Sequence, residues 1–212
     1  RSLACLAFQP GGVEFAEREE VLELLVRGGR ITGVRTSRMT READTVILAA
    51  GAWTPSIRGV PRVVRVVPVR GQMALVPWPD GEPAAVLFGR HTYAVRRGEH
   101  AILGSTMEHA GFEPATTEEG MERIRRETGA LLPALLGQPV QRMWAGLRPM
   151  TPDGRPIIGR DPEVEGLYYA TGHGRNGILL GPLTGEIVRD LVVKGETPFD
   201  LAPYAVTRFD TT

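Results

Sequence analysis

The chain has 212 residues, with 25 Lys and Arg balancing 25 Asp and Glu, and a single cysteine, Cys5. Zero net charge leaves no electrostatic footprint for nucleic acid, and one cysteine excludes an internal disulfide framework or a multi-cysteine metal site. At 42% hydrophobic and 24% charged residues the composition is that of an ordered globular protein, and no apolar run is long enough to span a membrane.

The 26 glycines and 17 prolines punctuate short apolar runs, as in strand-rich α/β or α+β chains. Ser2 to Phe8 suits a short helix. Residues 13–16 (VEFA) and 21–26 (VLELLV) read as strands, Arg27-Gly28-Gly29-Arg30 as a hairpin turn, and Ile31 to Thr36 as the partner strand. Val46 to Ala50, ended by Gly51, reads as a strand buried on both faces of a mostly parallel sheet. From Val63 to Gly104 the runs VVRVVPV, QMALVP, AAVLFG, TYAVR and HAILGS read as successive antiparallel strands. Thr116-Thr117-Glu118-Glu119 reads as a capping box. It opens a helix with Met121, Ile124, Thr128 and Leu131 on one face, Arg123, Arg125, Arg126 and Glu127 in water, and Pro133 at its end. Val140 to Leu147 reads as a strand, Pro149 to Gly159 as a crossover and Leu167 to Thr171 as a buried strand. Gly172 to Gly177 then forms a glycine-rich turn into a helix from Ile178 to Val193. This order implies two interleaved domains. Residues 1–60 and 151–212 form one, and 61–150 form an inserted antiparallel domain. Apolar edges at VVRVVPV and AAVLF predict self-association to a homo-oligomer through the 63–104 sheet.

Three places could carry chemistry. The turn His173-Gly174-Arg175-Asn176-Gly177 joins a buried strand to a helix start, where backbone N–H groups and the helix dipole favour negative charge. It serves either a ligand or merely a tight connection. Arg148 ends an apolar strand before a proline; its guanidinium suits bidentate carboxylate binding or a surface ion pair. His91 and Tyr93, two apart on a presumed strand, would share a face, with the tyrosine hydroxyl aimed at a carboxylate or satisfied in the core. His91, His100, His109 and His173 lack metal-ligand spacing, so no metal is expected. No hydrolase constellation is present.

Four segments carry a family resemblance: VILAAGAWTPSI (46–57), PVRGQMALV (68–76), RMWAGLRPMTPDGRPIIGR (142–160) and LYYATGHGRNGILLGPLTGEIVRDL (167–191). Together they resemble the C-terminal half of glycine oxidases, the thiamine-biosynthesis members of the D-amino-acid-oxidase-type flavoproteins. The resemblance implies an α/β plus α+β fold: part of a Rossmann-like, GR2-type FAD-binding domain with an inserted antiparallel substrate domain. It implies non-covalent FAD, oxidation of glycine or a small amine to the imine, and oxygen as the electron acceptor, giving hydrogen peroxide. Sarcosine- or D-amino-acid-type oxidases and dehydrogenases are the alternatives within that class, and a catalytically inactive module acting only in association is the alternative outside it. By position, the resemblance places Arg148, Tyr93, Arg175, Met107 and His91 at the substrate. It places Val21, Gly51, Trp53 and His173 to Leu179 (His173, Gly174, Arg175, Asn176, Gly177, Ile178, Leu179) at the cofactor. No side-chain base is implied. The family's strand–GxGxxG–helix unit has no counterpart before residue 46, and the chain begins at Arg1 rather than Met, so a longer parent is expected. A cytoplasmic enzyme acting without nucleic acid or membrane is expected.

Overall fold

In the computed structural model, which describes residues 13–210, the chain enters a three-stranded antiparallel meander of β1 (Val21–Arg27), β2 (Arg30–Thr36) and β3 (Thr40–Glu42). Gly28 and Gly29 close the first hairpin with φ of 57° and 74°, the left-handed geometry of the primed turns that match strand twist. Residues 13–16 are not a strand, because no neighbouring strand offers them a ladder; Glu14 is held instead by Arg41 at 3.0 Å. The helix expected over Ser2 to Phe8 lies outside the described residues.

After β4 (Val46–Leu48) and a 3-10 turn at Gly51–Ser56, the chain builds a five-stranded antiparallel sheet. Its strands are β5 (Val67–Pro77), β6 (Val86–Phe88), β7 (Tyr93–Arg97), β8 (His100–Gly104) and β9 (Arg142–Met150), in the order β6-β7-β8-β5-β9. VVRVVPV and QMALVP are therefore not two strands. Val63 to Val66 are irregular and the remainder is one eleven-residue strand. Nor is VVRVVPV an edge, since β9 returns from beyond the helix to pair along nearly all of β5. The β6 side of the expected self-association surface does stay open, with Val86 62% and Phe88 70% exposed.

Helix α1 (Glu118–Leu131) covers one face of this sheet, burying Met121 and Ile124 against Ala74, Val76, Ala94, Ala101 and Leu103. Its N-cap is Thr117, whose hydroxyl accepts from the Gly120 amide at 3.1 Å. The third helical position is thus a glycine, and the reciprocal glutamate of a capping box has no place.

The chain then re-enters the first unit through β10 (Ile157–Arg160) and β11 (Leu167–Thr171), which form a mixed sheet β10-β11-β4 with β4 parallel to β11. β10 occupies what read as crossover: Pro and Gly on its flanks masked four residues whose Ile157, Ile158 and Gly159 are buried. β4 is covered on one face only, so Leu48 is buried while Ile47 is 44% exposed. One apolar core joins the meander to this sheet through Leu24, Ile31, Leu48, Val64, Val66, Ile157, Leu167 and Tyr169. Helix α2 (Gly177–Val193) packs Ile187, Val188 and Leu191 onto Ile158. No helix among the described residues is long and apolar enough to cross a membrane.

Candidate functional site

The site lies where the five-stranded sheet meets the sheet of β10, β11 and β4. The turn after β11 is stitched to the end of β9: the Gly174 amide donates to the Pro149 carbonyl at 2.8 Å, and Met150 bridges His173. A Cβ at Gly172 would lie 2.7 Å from Thr151, and one at Gly174 the same distance from the Met150 sulfur. Those glycines thus permit a close approach of protein to protein, as the tight-connection alternative for this turn expects. The loop after β4 is tied in as well. The Thr171 hydroxyl donates to the Gly51 carbonyl at 3.0 Å, and so does that of Thr54, at 2.9 Å.

Arg148, on β9, folds its half-buried guanidinium across to β5, where Gly71 gives it room: a Cβ there would be 2.2 Å from both terminal nitrogens. The guanidinium donates to the Thr106 carbonyl at 3.1 Å and the Ser105 hydroxyl at 2.6 Å. Among the described residues it has no carboxylate partner. Burial pulls its pKa below the ordinary arginine value, and Arg175 nearby adds to that, while Tyr93 opposes it. A positive charge so placed is held by neutral acceptors and left without a counter-ion.

A cavity of about 290 Å³ opens in front of Ser105, lined by Tyr93, Met107, His91, Arg90, Arg123 and Arg175 among others. Tyr93 thus shares a cavity with Arg175 and Met107; Arg148 itself stands behind Ser105 rather than in the wall. His91 lies in the turn before β7 instead of on the strand, because β7 begins only at Tyr93, yet it reaches the same cavity. The Tyr93 hydroxyl points at the Met73 sulfur, 3.6 Å away, a weak acceptor that leaves it free to donate elsewhere.

The segment 105–108 that holds Arg148 is itself anchored by residues the sequence reading missed. Gln72, fully buried, donates its backbone N–H to the Thr106 hydroxyl at 2.9 Å and its side-chain amide to Glu108 and Thr117, and accepts from the Thr117 amide at 2.7 Å. Arg70 pairs with Glu108 at 2.6 Å. Burial pushes the Glu108 carboxyl upward, but hydrogen bonds from Gln72, Arg70 and Thr106 outweigh it and hold the pKa below the usual value. The RGQ of PVRGQ and the GST before Met107 were the available signals, a polar triplet interrupting an apolar strand and a small-residue strand end.

A second, more open groove of about 560 Å³ is lined by Val21, Leu22, Ala50, Trp53, Ile57 and Arg58. It brings together Val21 and Trp53, two of the residues expected at the cofactor; Gly51, also expected there, is not among its lining residues and adopts a φ of 56°. At the start of α2, Asn176 makes no side-chain cap, and Ile178 and Leu179 are 97% and 79% exposed. His173 turns away, its Nε2 2.9 Å from the Thr184 hydroxyl, and burial lowers its pKa so that it stays neutral. No group of three or more potential metal ligands occurs among the described residues.

A family described as FAD dependent oxidoreductase matches residues 2–191. The chain belongs to this family. The glycine oxidase of Pseudomonas aeruginosa is 40% identical over 207 residues, covering 97% of this chain and 57% of that protein. The bifunctional protein ThiO/ThiG of Trichormus variabilis is 37% identical over 203 residues, covering 93% of this chain and 30% of that one. The crystal structure of glycine oxidase from Geobacillus kaustophilus superposes with a TM-score of 0.85 at 34% identity, over 91% of this chain and 53% of that one. The chain therefore spans little more than half the length of the glycine oxidases it matches. The mixed architecture, with its antiparallel five-stranded sheet beside a partial parallel sheet, is that of these FAD-dependent oxidoreductases.

Proposed function

We propose that the protein to which this chain contributes is an FAD-dependent oxidase of glycine or a similarly small amino acid or amine. The observation that carries this reading is Arg148: a half-buried guanidinium with no counter-ion, held by Ser105 and Thr106 beside a cavity lined by Tyr93 and Arg175. A substrate carboxylate supplies the missing negative charge.

The chain's residues suit the cofactor. The uncapped start of α2 offers backbone N–H groups to an electron-rich ring system, and the bare side chains of Ile178 and Leu179 offer it apolar contact. The groove of Val21 and Trp53 suits the adenosine portion. FAD, when bound, supplies the acceptor for the hydride from the substrate α-carbon. Arg148 and the Tyr93 hydroxyl fix the carboxylate, and with it the distance and angle of the α-carbon, an orientation that lowers the barrier. Arg175, exposed on the turn, favours anionic character on the cofactor side. No Asp or Glu among the described residues lines the cavity, so no carboxylate of this chain takes the amine proton; in this reading the substrate binds with its nitrogen neutral, and the lone pair forms the imine as the hydride leaves. Water then hydrolyses the imine, and oxygen takes the electrons to give hydrogen peroxide.

In this reading residues 1–60 and 151–212 belong to the cofactor-binding domain and 61–150 to the substrate domain, and the enzyme works in the cytoplasm. The test is the full-length protein purified with its flavin and assayed for peroxide on glycine, sarcosine, D-alanine and D-proline. Turnover of glycine with a bound-flavin absorbance spectrum is expected. A flavin-free protein, or a flavoprotein inert on all four, overturns the reading; turnover with an artificial acceptor but no peroxide makes it a dehydrogenase.

A further inference from the structure

Ser105 lines the cavity, Arg148 does not, and the two touch: the Ser105 Oγ accepts from the guanidinium at 2.6 Å. A serine hydroxyl carries one proton and two lone pairs. Arg148 occupies a lone pair, so the proton turns away from the cation. The Ser105 hydroxyl makes no other hydrogen bond among the described residues, and no Asp or Glu among them lines the cavity to receive that proton. A hydroxyl that accepts from a cation is also the stronger donor, because the two bonds polarise each other.

The hydroxyl is fixed from both sides. The Gly104 carbonyl before it accepts from the Thr92 hydroxyl at 2.9 Å, and the Thr106 hydroxyl after it accepts from the Gln72 backbone N–H at 2.9 Å. Gly104 also brings a second donor close, since a Cβ there would lie 3.0 Å from the Tyr93 hydroxyl oxygen. Over the backbone next to Ser105 there is thus a phenol bonded only to a thioether sulfur.

We propose that the Ser105 hydroxyl donates directly to the substrate carboxylate, a third donor beside Arg148 and Tyr93 that carries the arginine's charge into the cavity. This deepens the reading of the site as an amino-acid oxidase and rests on it. Ser105 forms no covalent bond and keeps its proton. The carboxylate it holds is the same in substrate and transition state, so losing the contact raises KM and spares kcat. The opposite role is a plug, in which Ser105 occupies an Arg148 N–H that an arriving carboxylate needs; removing it then tightens binding.

The experiment uses the full-length, flavin-loaded protein, with glycolate titrated against the flavin absorbance and steady-state kinetics on glycine. Ser105→Ala is expected to weaken glycolate about tenfold or more and to raise KM for glycine alike, with kcat within about threefold and flavin content unchanged. Ser105→Cys keeps nearly the same size but offers only a weak donor, and should lose nearly as much. Ser105→Thr keeps the hydroxyl and should stay within about threefold of wild type. In an Arg148→Lys background, Ser105→Ala is expected to weaken glycolate by about a further threefold or more. No added loss there means that Ser105 acts only by holding Arg148, and overturns the proposal. So does glycolate binding that is unchanged or tighter in both Ser105→Ala and Ser105→Cys, or a wild type that does not bind glycolate. Failure of the oxidase reading is recognised separately, by absence of turnover on every amine while glycolate binding still depends on Ser105.

Discussion

Replacing Gly71 by alanine probes the clamp without touching a charged group. The added Cβ would lie 2.2 Å from both terminal nitrogens of Arg148 and 2.4 Å from its central carbon. To restore an ordinary contact of 3.4 Å the guanidinium must retreat by about 1.2 Å, which breaks at least one of its bonds to Thr106 and Ser105. A misplacement of about 1 Å in a positioning group costs on the order of 100-fold in rate. The backbone itself is not the obstacle. Gly71 is not among the positive-φ glycines, and an alanine in a strand interior gains about 0.5–1 kcal/mol over glycine from backbone entropy alone. Gly71→Ala is therefore expected to lower kcat/KM for glycine about 100-fold in the flavin-loaded, full-length protein, with flavin content and melting temperature unchanged. Kinetic constants within about twofold of wild type would show that Arg148 does not address the substrate. A loss of activity matched by a loss of flavin would point to the cofactor instead.

Arg148→Lys keeps the charge but removes the fork that reaches Ser105 and Thr106 together; it is expected to raise KM by about 10- to 150-fold, equivalent to about 1.5–3 kcal/mol, with flavin retained. Asp161→Asn leaves the nearly buried Arg62 facing a neutral partner and weakens an acceptor of the Tyr169 hydroxyl and two backbone amides. It should cost about 3 kcal/mol in denaturant unfolding, the low end for a broken buried pair because Asp210 still reaches Arg62 at 2.8 Å. Burial raises the Asp161 carboxyl, but the Arg62 bond and its other donors hold its folded pKa below the ordinary value. Its contribution is therefore present above the ordinary carboxylate range and lost as pH falls through the folded pKa, so the variant's acid limb should be flatter. For His173 burial also depresses the folded pKa, so the unfolded chain takes up the proton first and stability falls as pH drops below 6.5. His173→Gln should reduce that slope in pH-dependent melting.

Much of the architecture was legible because it is local. The Gly28-Gly29 hairpin, the apolar face of α1 and the turn into α2 are each written in a few neighbouring residues. What failed was pairing over distance. β9 joins β5 from the far side of α1, which converts an apparent apolar edge into an interior strand of the sheet, and β10 hid between glycines and prolines because its burial is decided by distant elements, α2 packing over Ile158 among them. The site divides in the same way. Arg148, Tyr93, Met107 and Arg175 could be named as candidates from their motifs, whereas the RGQ and GST triplets marked Gly71, Gln72 and Ser105 as unusual without giving their role, which is to touch Arg148 or to hold what touches it. The glycines of the turn after β11 suited either a ligand or a tight connection in the sequence, and the structure shows that they admit Met150 and Thr151.

The central claim is that Arg148 and Tyr93 receive a substrate carboxylate. A crystal structure of the full-length, flavin-loaded protein with glycolate, a carboxylate that lacks the amine, tests it directly. The account predicts both carboxylate oxygens within about 3.2 Å of the Arg148 guanidinium or the Tyr93 hydroxyl, with the α-carbon facing the cofactor. Glycolate bound elsewhere, with Arg148 still donating only to Ser105 and Thr106, would contradict it.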